Sequence, residues 1–402
     1  MATRIPPLSL MLGTSMFLSG VTFATTLPYA AIVGIEKLGM SNATYAALVS
    51  AGAAVGAVTS LLIGYVSDRV PDRRILVLVS SLAGVIGYGL IYLFRNQMSF
   101  SIATVFIIPL AVAIFSQSFS FVRAFYSERA PGRADMMVSV MRTIFSASWV
   151  VVPPAAGIIA ALTSVFDVYL ITCLAYLAIG TIFILMMRNP ATRVARPAPK
   201  SAAGPTQGRT LDAGTLCGLL AILIVMIAMR LVQLAMPLMI VNDLGGSISD
   251  VGLYAGTAAL TEIPFMLLWG YAVGRYFSKV AIIAFSAALL GVYILLVLRA
   301  ATVMDVLILQ VVNGVAASAL LSINISYVQD TIKGRIGLSS SLMDVIAILA
   351  TLGGAALFGT LSAGSDYRQV LWAAAAIAIL GGVVMGVGNF GRIRLRRSTA
   401  SP

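Results

Sequence analysis

Long apolar runs separated by short polar segments cover almost the whole chain. Twelve of these runs could cross a bilayer, because a membrane-spanning helix needs about 20 apolar residues. Every backbone amide in lipid must be hydrogen-bonded inside its own segment, so the runs are expected to be helices. The pattern predicts an all-α membrane protein with twelve transmembrane helices, called here the first to the twelfth span. Their predicted bounds are 8–34, 41–66, 75–94, 100–123, 134–163, 165–187, 214–241, 248–273, 279–298, 302–328, 336–361 and 367–389.

One polar segment is much longer than the others. Residues 188–213 are rich in Pro, Ala, Gly and basic residues and show no apolar period, as is typical of a flexible linker. It separates residues 1–187 from residues 214–389, with six spans in each part, and residues 390–402 form a basic tail. The two parts are related, because residues of the first recur 202 positions later: Glu128, Gly132, Arg133, Ser139, Met141 and Gly157 correspond to Asp330, Gly334, Arg335, Ser341, Met343 and Gly359. We therefore expect two pseudo-symmetric six-helix bundles.

Composition agrees with a membrane protein. Hydrophobic residues make up 60% of the chain, charged residues 10%, and the mean hydropathy is +1.01, well outside the range of soluble domains. The net charge of +12 would suit nucleic-acid binding, but 20 of the 26 basic residues fall on one side of the predicted membrane. Four fall on the other side and two inside spans. This bias predicts that both termini are cytoplasmic and gives no support to nucleic-acid binding.

Enzymatic chemistry finds little support. The chain has no His, which removes Ser-His triads and most zinc sites. Its two cysteines, Cys173 and Cys217, lie singly on apolar segments and are interpreted as packing residues. We expect no metal, no cofactor and no catalytic site.

Four ionisable residues fall inside predicted spans. They are Arg142 in the fifth span, Arg230 in the seventh, Glu262 in the eighth and Asp344 in the eleventh. Such residues are costly in lipid unless paired or hydrated, so each is a functional candidate by default. Arg142 and Asp344 correspond at the same offset of 202 residues. If the bundles are related by a twofold axis, both residues face a central cavity at equal depth, where they could pair.

Several neutral polar side chains occur at similar depths. Amides both donate and accept hydrogen bonds, which suits polyhydroxylated ligands, although a hydrogen bond between helices is the alternative for each. Trp149, in the middle of the fifth span, could stack on a sugar ring or simply pack, since interfaces are the usual depth for Trp. The candidate amides are Gln117, Gln233, Gln310 and Asn313.

The segment between the second and third spans carries a motif. Residues 64–74 (GYVSDRVPDRR) resemble the loop signature of the major facilitator superfamily, except that Pro71 replaces the second Gly of that signature. A second copy, residues 270–279, follows the eighth span and has lost the acid. The resemblance implies that Asp68 docks on the start of the eleventh span in one state of a transport cycle. It also implies a conformational-switch role for the residues around it: Gly64, Arg69, Arg73, Arg74 and Arg123.

Other segments narrow the resemblance. Residues 117–123, 140–154, 262–264, 270–276 and 310–313 resemble the bacterial sugar efflux transporter family in order and spacing. That family is described as exporting sugars and glycosides, in exchange for protons. The resemblance carries over Arg142, Glu262, Gln310 and Asn313 as cavity residues.

This chain departs from the family at three positions. Ala124 and Ala235 stand where relatives have acids, and the missing acid at Ala235 in the seventh span would either alter the substrate range or shift proton coupling to Glu262 or Asp344. Val152 replaces the Gly of an export motif at Pro153 and Pro154, which weakens that indication of export.

We therefore expect a monomeric, proton-linked exporter of sugars or glycosides in the bacterial inner membrane. Its partners are a small sugar, protons and the lipid bilayer. Arg230 and Glu262 form either a structural ion pair or a site in which Glu262 binds sugar or carries the proton. Arg142 and Asp344 form either a gate or a binding site. The alternatives are an exporter of drugs or amphiphiles and a sugar sensor that transports nothing.

Overall fold

The computed structural model describes residues 6–67, 69–70, 72–189, 192–194, 213–331 and 336–389. These residues form twelve helices long and apolar enough to cross a membrane, as the apolar pattern predicts. The helices are Pro6–Ala24, Asn42–Ser67, Arg74–Phe94, Gln97–Arg129, Ala134–Leu162, Asp167–Met187, Ala213–Asn242, Ile248–Ala272, Lys279–Val297, Val303–Thr331, Ile336–Leu361 and Tyr367–Gly388.

Two spans differ from the predicted continuous helices. The first ends as an α-helix at Ala24 and continues as a 3-10 turn, Leu27–Tyr29, and a π-helix, Ile32–Lys37. Pro28 lacks the backbone N–H that a continuous helix needs, which accounts for the break. The fourth span contains a π-helical turn, Ala103–Ile107, immediately before Pro109 for the same reason.

The fourth span is also longer than predicted at both ends. It begins at Gln97 because the Asn96 side chain caps it, accepting a hydrogen bond of 2.8 Å from the Ser99 amide. It runs to Arg129 instead of ending at residue 123, so Arg123 lies on the helix and not at its end.

The chain divides into two compact units. Unit 1 comprises Met1–Met40 and Ala51–Gln207, and unit 2 comprises Ser41–Ser50 and Gly208–Pro402. In unit 1 the first span packs against the fifth and sixth, and the third packs against the sixth. In unit 2 the seventh span packs against the eleventh and twelfth, and the ninth packs against the twelfth. The same pairing in both units agrees with the sequence repeat.

Small residues bring the helices of unit 1 close together. Gly84 on the third span lies against the Tyr176 ring of the sixth, where any Cβ would overlap the ring. Tyr88, one turn further on, stacks on Tyr176 with ring centroids 5.5 Å apart. Close approach through glycine is the usual means by which helices associate in lipid.

A column of buried hydroxyl groups follows one face of the first span. Ser15, Ser19, Thr22 and Thr26 each donate to a backbone carbonyl three or four residues earlier, over 2.8, 2.8, 2.8 and 3.1 Å. Thr22 and Thr26 also interact with the hydroxyls of Tyr176 and Tyr88. The spacing of three and four residues places these groups on one face, which sequence inspection missed because it considered only charged and amide side chains.

Candidate functional site

Glu262 lies near the middle of the eighth span in unit 2, with its side chain half-buried. The helix begins with a capping box, in which Ser247 and Asp250 bond each other's backbone amides. Pro264 follows two residues after Glu262 and cannot donate to the carbonyl of Leu260. Glu262 therefore occupies a turn of helix with one missing backbone hydrogen bond.

Arg230 meets an amide and not a carboxylate. Its Nη1 donates to Gln233 Oε1 over 2.6 Å, one turn along the seventh span. Three ion pairs occur among the described residues, and all join other residues: Arg74–Asp72, Lys279–Asp330 and Arg368–Asp243. The described residues therefore show no ion pair between Arg230 and Glu262, which was one of the two arrangements considered for them.

The eleventh span approaches Arg230 through a glycine. A Cβ added to Gly354 would lie 2.7 Å from the Cβ of Arg230. The absence of a side chain at this position lets the two helices meet where the arginine lies. Asp344, further back on the same eleventh span, has an exposed side chain.

Gln310 and Asn313 lie inside unit 2 and are bonded to each other. Asn313 Nδ2 donates to Gln310 Oε1 over 2.9 Å, and Gln310 Nε2 donates to the Tyr293 hydroxyl over 2.8 Å. Thr261 Oγ1 donates to the Gln310 backbone carbonyl over 3.0 Å. Gln310 is fully buried and Asn313 is 9% exposed. Gln310 thus has helix-to-helix partners, whereas Asn313 lies nearer a surface of the unit.

Tyr254 extends this group towards Glu262. Its hydroxyl hydrogen-bonds with Tyr293, and its side chain interacts electrostatically with Glu262 two turns along the eighth span. Sequence analysis did not single out Tyr254, Tyr293 or Thr261. Two tyrosines inside apolar spans, facing amides of the tenth span, were the available indication.

In unit 1 the candidate residues lie on the fourth and fifth spans, which also carry members of a phenylalanine cluster. Arg142 is exposed, Trp149 is half-buried and Gln117 is buried, with its Oε1 lacking a hydrogen-bond partner in the described part of the chain. The phenylalanine cluster joins the first, fourth and fifth spans, and its Phe115 and Phe145 centroids lie 5.0 Å apart. The cluster, also missed in the sequence, consists of Phe23, Phe115, Phe119 and Phe145.

Pro153 and Pro154 lie inside the helix of the fifth span. The Tyr29 hydroxyl donates to the Pro153 carbonyl over 2.7 Å, which ties the end of the first span to this point. Arg142 and Asp344 belong to different units, so their pairing stays a prediction.

The loop between the second and third spans divides into separate parts. Asp68 and Pro71 lie outside the described residues. Arg69 stacks on Tyr65, with its guanidinium carbon 3.3 Å from the ring centroid. Of the other predicted switch residues, Gly64 has open space around it, Arg73 is half-buried, and Arg123 is exposed.

Arg74 is anchored instead of exposed. It is 3% exposed, pairs with Asp72 over 2.6 Å, and donates to the Met186 carbonyl over 3.1 Å. It also donates to the Thr192 hydroxyl. Burial would raise the pKa of Asp72, but hydrogen bonds and the charge of Arg74 outweigh it and lower that pKa. Arg74 thus joins the loop to the end of the sixth span.

The second copy of the loop repeats part of this arrangement 206 residues later. Arg275 lies over Tyr271, 4.9 Å from the ring centroid, as Arg69 lies over Tyr65. Gly274, at the position of the lost acid, has a φ of +77°, which favours glycine.

Twelve apolar helices, with Arg142, Arg230, Glu262 and Asp344 well inside four of them, define a polytopic membrane protein with the features of a transporter. The profile of the Major Facilitator Superfamily matches residues 12–213 and 218–398. The chain belongs to the Major Facilitator Superfamily, a family of membrane transporters and not of enzymes.

Relatives with assigned names are sugar efflux transporters. Sugar efflux transporter A of Dickeya chrysanthemi is 28% identical over 328 residues, which cover 81% of this chain and 81% of the relative. Sugar efflux transporter A of Escherichia coli strain K12 is 26% identical over 366 residues, covering 90% of this chain and 92% of the relative. The resemblance predicted from the sequence is therefore confirmed.

Solved structures share the fold at low identity. A POT family transporter in complex with 5-aminolevulinic acid has a TM-score of 0.79 at 11% identity, covering 98% of both chains. The nucleoside transporter NupG has a TM-score of 0.76 at 12% identity, covering 95% of this chain and 99% of the other. These similarities show the fold alone.

Proposed function

We propose that this transporter exports sugars or glycosides across the bacterial inner membrane in exchange for protons, by alternating access. The observation that carries the proposal is the chemistry inside unit 2. Glu262, a carboxylate within a span, has no ion-pair partner in the described residues and lies beside a buried network of amides and tyrosine hydroxyls. The names of the relatives, which match over most of the chain, support sugar as the substrate class.

The residues divide into three proposed roles. Asn313, Arg142 and Trp149 contact the sugar, because they combine amide, charged and aromatic groups at or near the surfaces of their units. Glu262 or Asp344 carries the proton, since each is a carboxylate inside a span. Gln310 joins the tenth span to the ninth through Tyr293, and Gln233 orients the Arg230 side chain on the seventh span. Gln117 is a further candidate contact of the sugar, because its Oε1 has no hydrogen-bond partner in the described residues.

Alternating access requires a switch between two states. We assign that switch to Asp68 with Gly64, Arg69, Arg73 and Arg123, following the superfamily signature. Arg74 belongs to the same loop but serves as its anchor. The excess of basic residues on one side supports cytoplasmic termini. The proposed working form is a monomer.

The experiment is uptake of a radiolabelled galactoside into everted membrane vesicles that contain the protein, with and without an imposed pH gradient. Accumulation that disappears when the gradient is collapsed supports proton-coupled export. Galactoside accumulation that is the same with and without the gradient would support sugar as the substrate and contradict proton coupling. Vesicles without the protein provide the background rate.

Export of an amphiphile is the second candidate, and the phenylalanine cluster favours it. Phe23, Phe115, Phe119 and Phe145 provide an apolar, aromatic surface in unit 1. A fluorescent amphiphilic cation measured in the same vesicles tests this alternative. Accumulation of the cation without any galactoside transport would favour an amphiphile over a sugar as the substrate.

A further inference from the structure

The buried polar groups of unit 2 form a hydrogen-bonded chain with one direction. The Asn313 amide nitrogen donates to the Gln310 oxygen over 2.9 Å, and the Gln310 nitrogen donates to the Tyr293 oxygen over 2.8 Å. The Tyr293 oxygen accepts a hydrogen bond from Gln310, so its own O–H points to Tyr254, its remaining hydrogen-bond partner. Each member therefore determines the orientation of the next.

Burial is complete in the middle of this chain, whereas its two ends, Asn313 and the half-buried Tyr254, lie nearer a surface of the unit. Gln310 and Tyr293 are both fully buried, and Asn313 is 9% exposed. The Asn313 nitrogen is already used on Gln310, and the structure shows no partner for its oxygen in the described residues. Asn313 therefore presents a hydrogen-bond acceptor, its Oδ1, at the amide end of this chain.

An amide can reverse its donor and acceptor by rotating half a turn, and its neighbours decide which way it faces. Without the Tyr293 hydroxyl, Gln310 loses the 2.8 Å hydrogen bond that holds its nitrogen away from Asn313 and keeps only its interaction with Tyr254. Both amides can then rotate together, so that Gln310 donates to Asn313. Asn313 would present its nitrogen, a donor, in place of its oxygen.

We propose that Tyr293, on the ninth span, is a positioning residue for sugar recognition: it sets the orientation of Gln310 and thereby makes Asn313 an acceptor for one sugar hydroxyl. This inference rests on the proposed sugar transport. Tyr254 contributes by accepting a hydrogen bond from the Tyr293 hydroxyl, which leaves Tyr293 only able to accept from Gln310. Asn313 contacts the sugar, whereas Tyr293 and Tyr254 act only through it.

Deoxyfluoro sugars distinguish the two orientations, because a C–F group cannot donate a hydrogen bond whereas a hydroxyl can. Methyl galactoside and its 2-, 3-, 4- and 6-deoxyfluoro derivatives would compete with labelled galactoside in everted vesicles. In the unaltered protein, one derivative should bind about three- to tenfold more weakly than its parent, since its fluorine cannot donate to Asn313 Oδ1. In Tyr293→Phe, that ratio should fall towards one.

Tyr176→Phe is the matched control. Tyr176 is also fully buried, on the sixth span in unit 1, and its hydroxyl also interacts with a neighbouring hydroxyl, that of Thr22. This variant should retain the hydroxyl-to-fluorine ratio of the unaltered protein. If Tyr293→Phe fails to reach the membrane, Tyr254→Phe replaces it. Without the Tyr254 oxygen, the Tyr293 hydroxyl can donate to Gln310 instead, which also allows Gln310 to rotate.

The outcomes separate this inference from the proposed function. If the unaltered protein moves no galactoside and no derivative competes, sugar transport itself is rejected, and this inference with it. If galactoside moves but every fluorinated derivative binds like its parent, the acceptor role of Asn313 is rejected and sugar transport stands. A Tyr293→Phe ratio equal to that of Tyr176→Phe would also overturn the inference.

Discussion

Arg74 and Thr192 are hydrogen-bonded across 118 residues of sequence, at the point where the sixth span gives way to the segment that follows it. Arg74 also holds Asp72, two residues before it, so the loop between the second and third spans is fixed at its far end. The same motif that resembles a conformational switch thus includes a rigid attachment. This attachment leads to a prediction about stability.

Asp72→Asn should lower the free energy of unfolding by about 1–3 kcal/mol, because it removes the charge that Arg74 pairs with and leaves Arg74 buried. The folded-state pKa of Asp72 is lowered, so its contribution is complete above its unfolded pKa of about 3.8 and is lost only as pH falls through the lower folded value. The difference in Tm between the variant and the unaltered protein in detergent should therefore stay constant from about pH 5 to pH 8. A difference that changes within this range would contradict the assignment to Asp72.

Glu262→Gln should lower accumulation driven by a pH gradient by about tenfold or more, while leaving galactoside exchange at equal concentrations within about a factor of three. The amide keeps the shape and hydrogen-bonding capacity of the side chain but cannot release a proton. Asp344→Asn is the parallel test of the other carboxylate. The variant that loses coupling but keeps exchange identifies the proton carrier, and equal loss of both activities assigns that residue to the sugar site.

Arg142→Asp and Asp344→Arg should each reduce transport by about tenfold or more, and the double variant should recover part of that loss. The reason is that both residues occupy corresponding positions, 202 residues apart, in equivalent spans with opposite charges. Galactoside uptake by the four proteins, corrected for their amounts in the membrane, measures the coupling. Additive losses in the double variant would show that the two side chains act independently.

Gly84→Ala should destabilise unit 1 by about 1–3 kcal/mol, because its new Cβ would overlap the Tyr176 ring and force the third and sixth spans apart. Gly89→Ala on the same helix is the matched control. A Cβ at Gly89 would lie 3.6 Å from Cys173 Sγ, an ordinary contact. Detergent melting curves should separate the two variants, and equal Tm values would reject the close packing at Gly84.

The sequence was sufficient to predict the twelve spans, because the length of an apolar run can be compared directly with the thickness of the bilayer. The loop motif at residues 64–74 was sufficient to predict the superfamily. The sequence was less informative about where helices change form, although Pro28 and Pro109 account for the two observed breaks. The fourth span begins earlier than predicted, because the helix cap at Asn96 was not considered.

The hydrogen-bond partners of the candidate residues explain most of what the structure added to the candidate site. Gln310 was predicted to face a cavity, but Tyr293 and Asn313 occupy its donor and acceptor groups inside unit 2. Arg230 was predicted to lie beside Glu262, whereas its hydrogen bond goes to Gln233 on its own helix. A single amide or arginine in an apolar run gives no indication of which neighbour will bond it, because that depends on helix rotation.

The two copies of the loop motif differ in their acid: the first copy has Asp68, and the second has Gly274 at the corresponding position. At residue 274 the acid has been exchanged for glycine, whereas the tyrosine and arginine four residues apart remain stacked at residues 271 and 275, as they are at residues 65 and 69. The acid and the stacked tyrosine–arginine pair are therefore separable features of the motif, since the second copy keeps the pair without the acid. Each can be altered in one half while the other half serves as its reference within the same molecule.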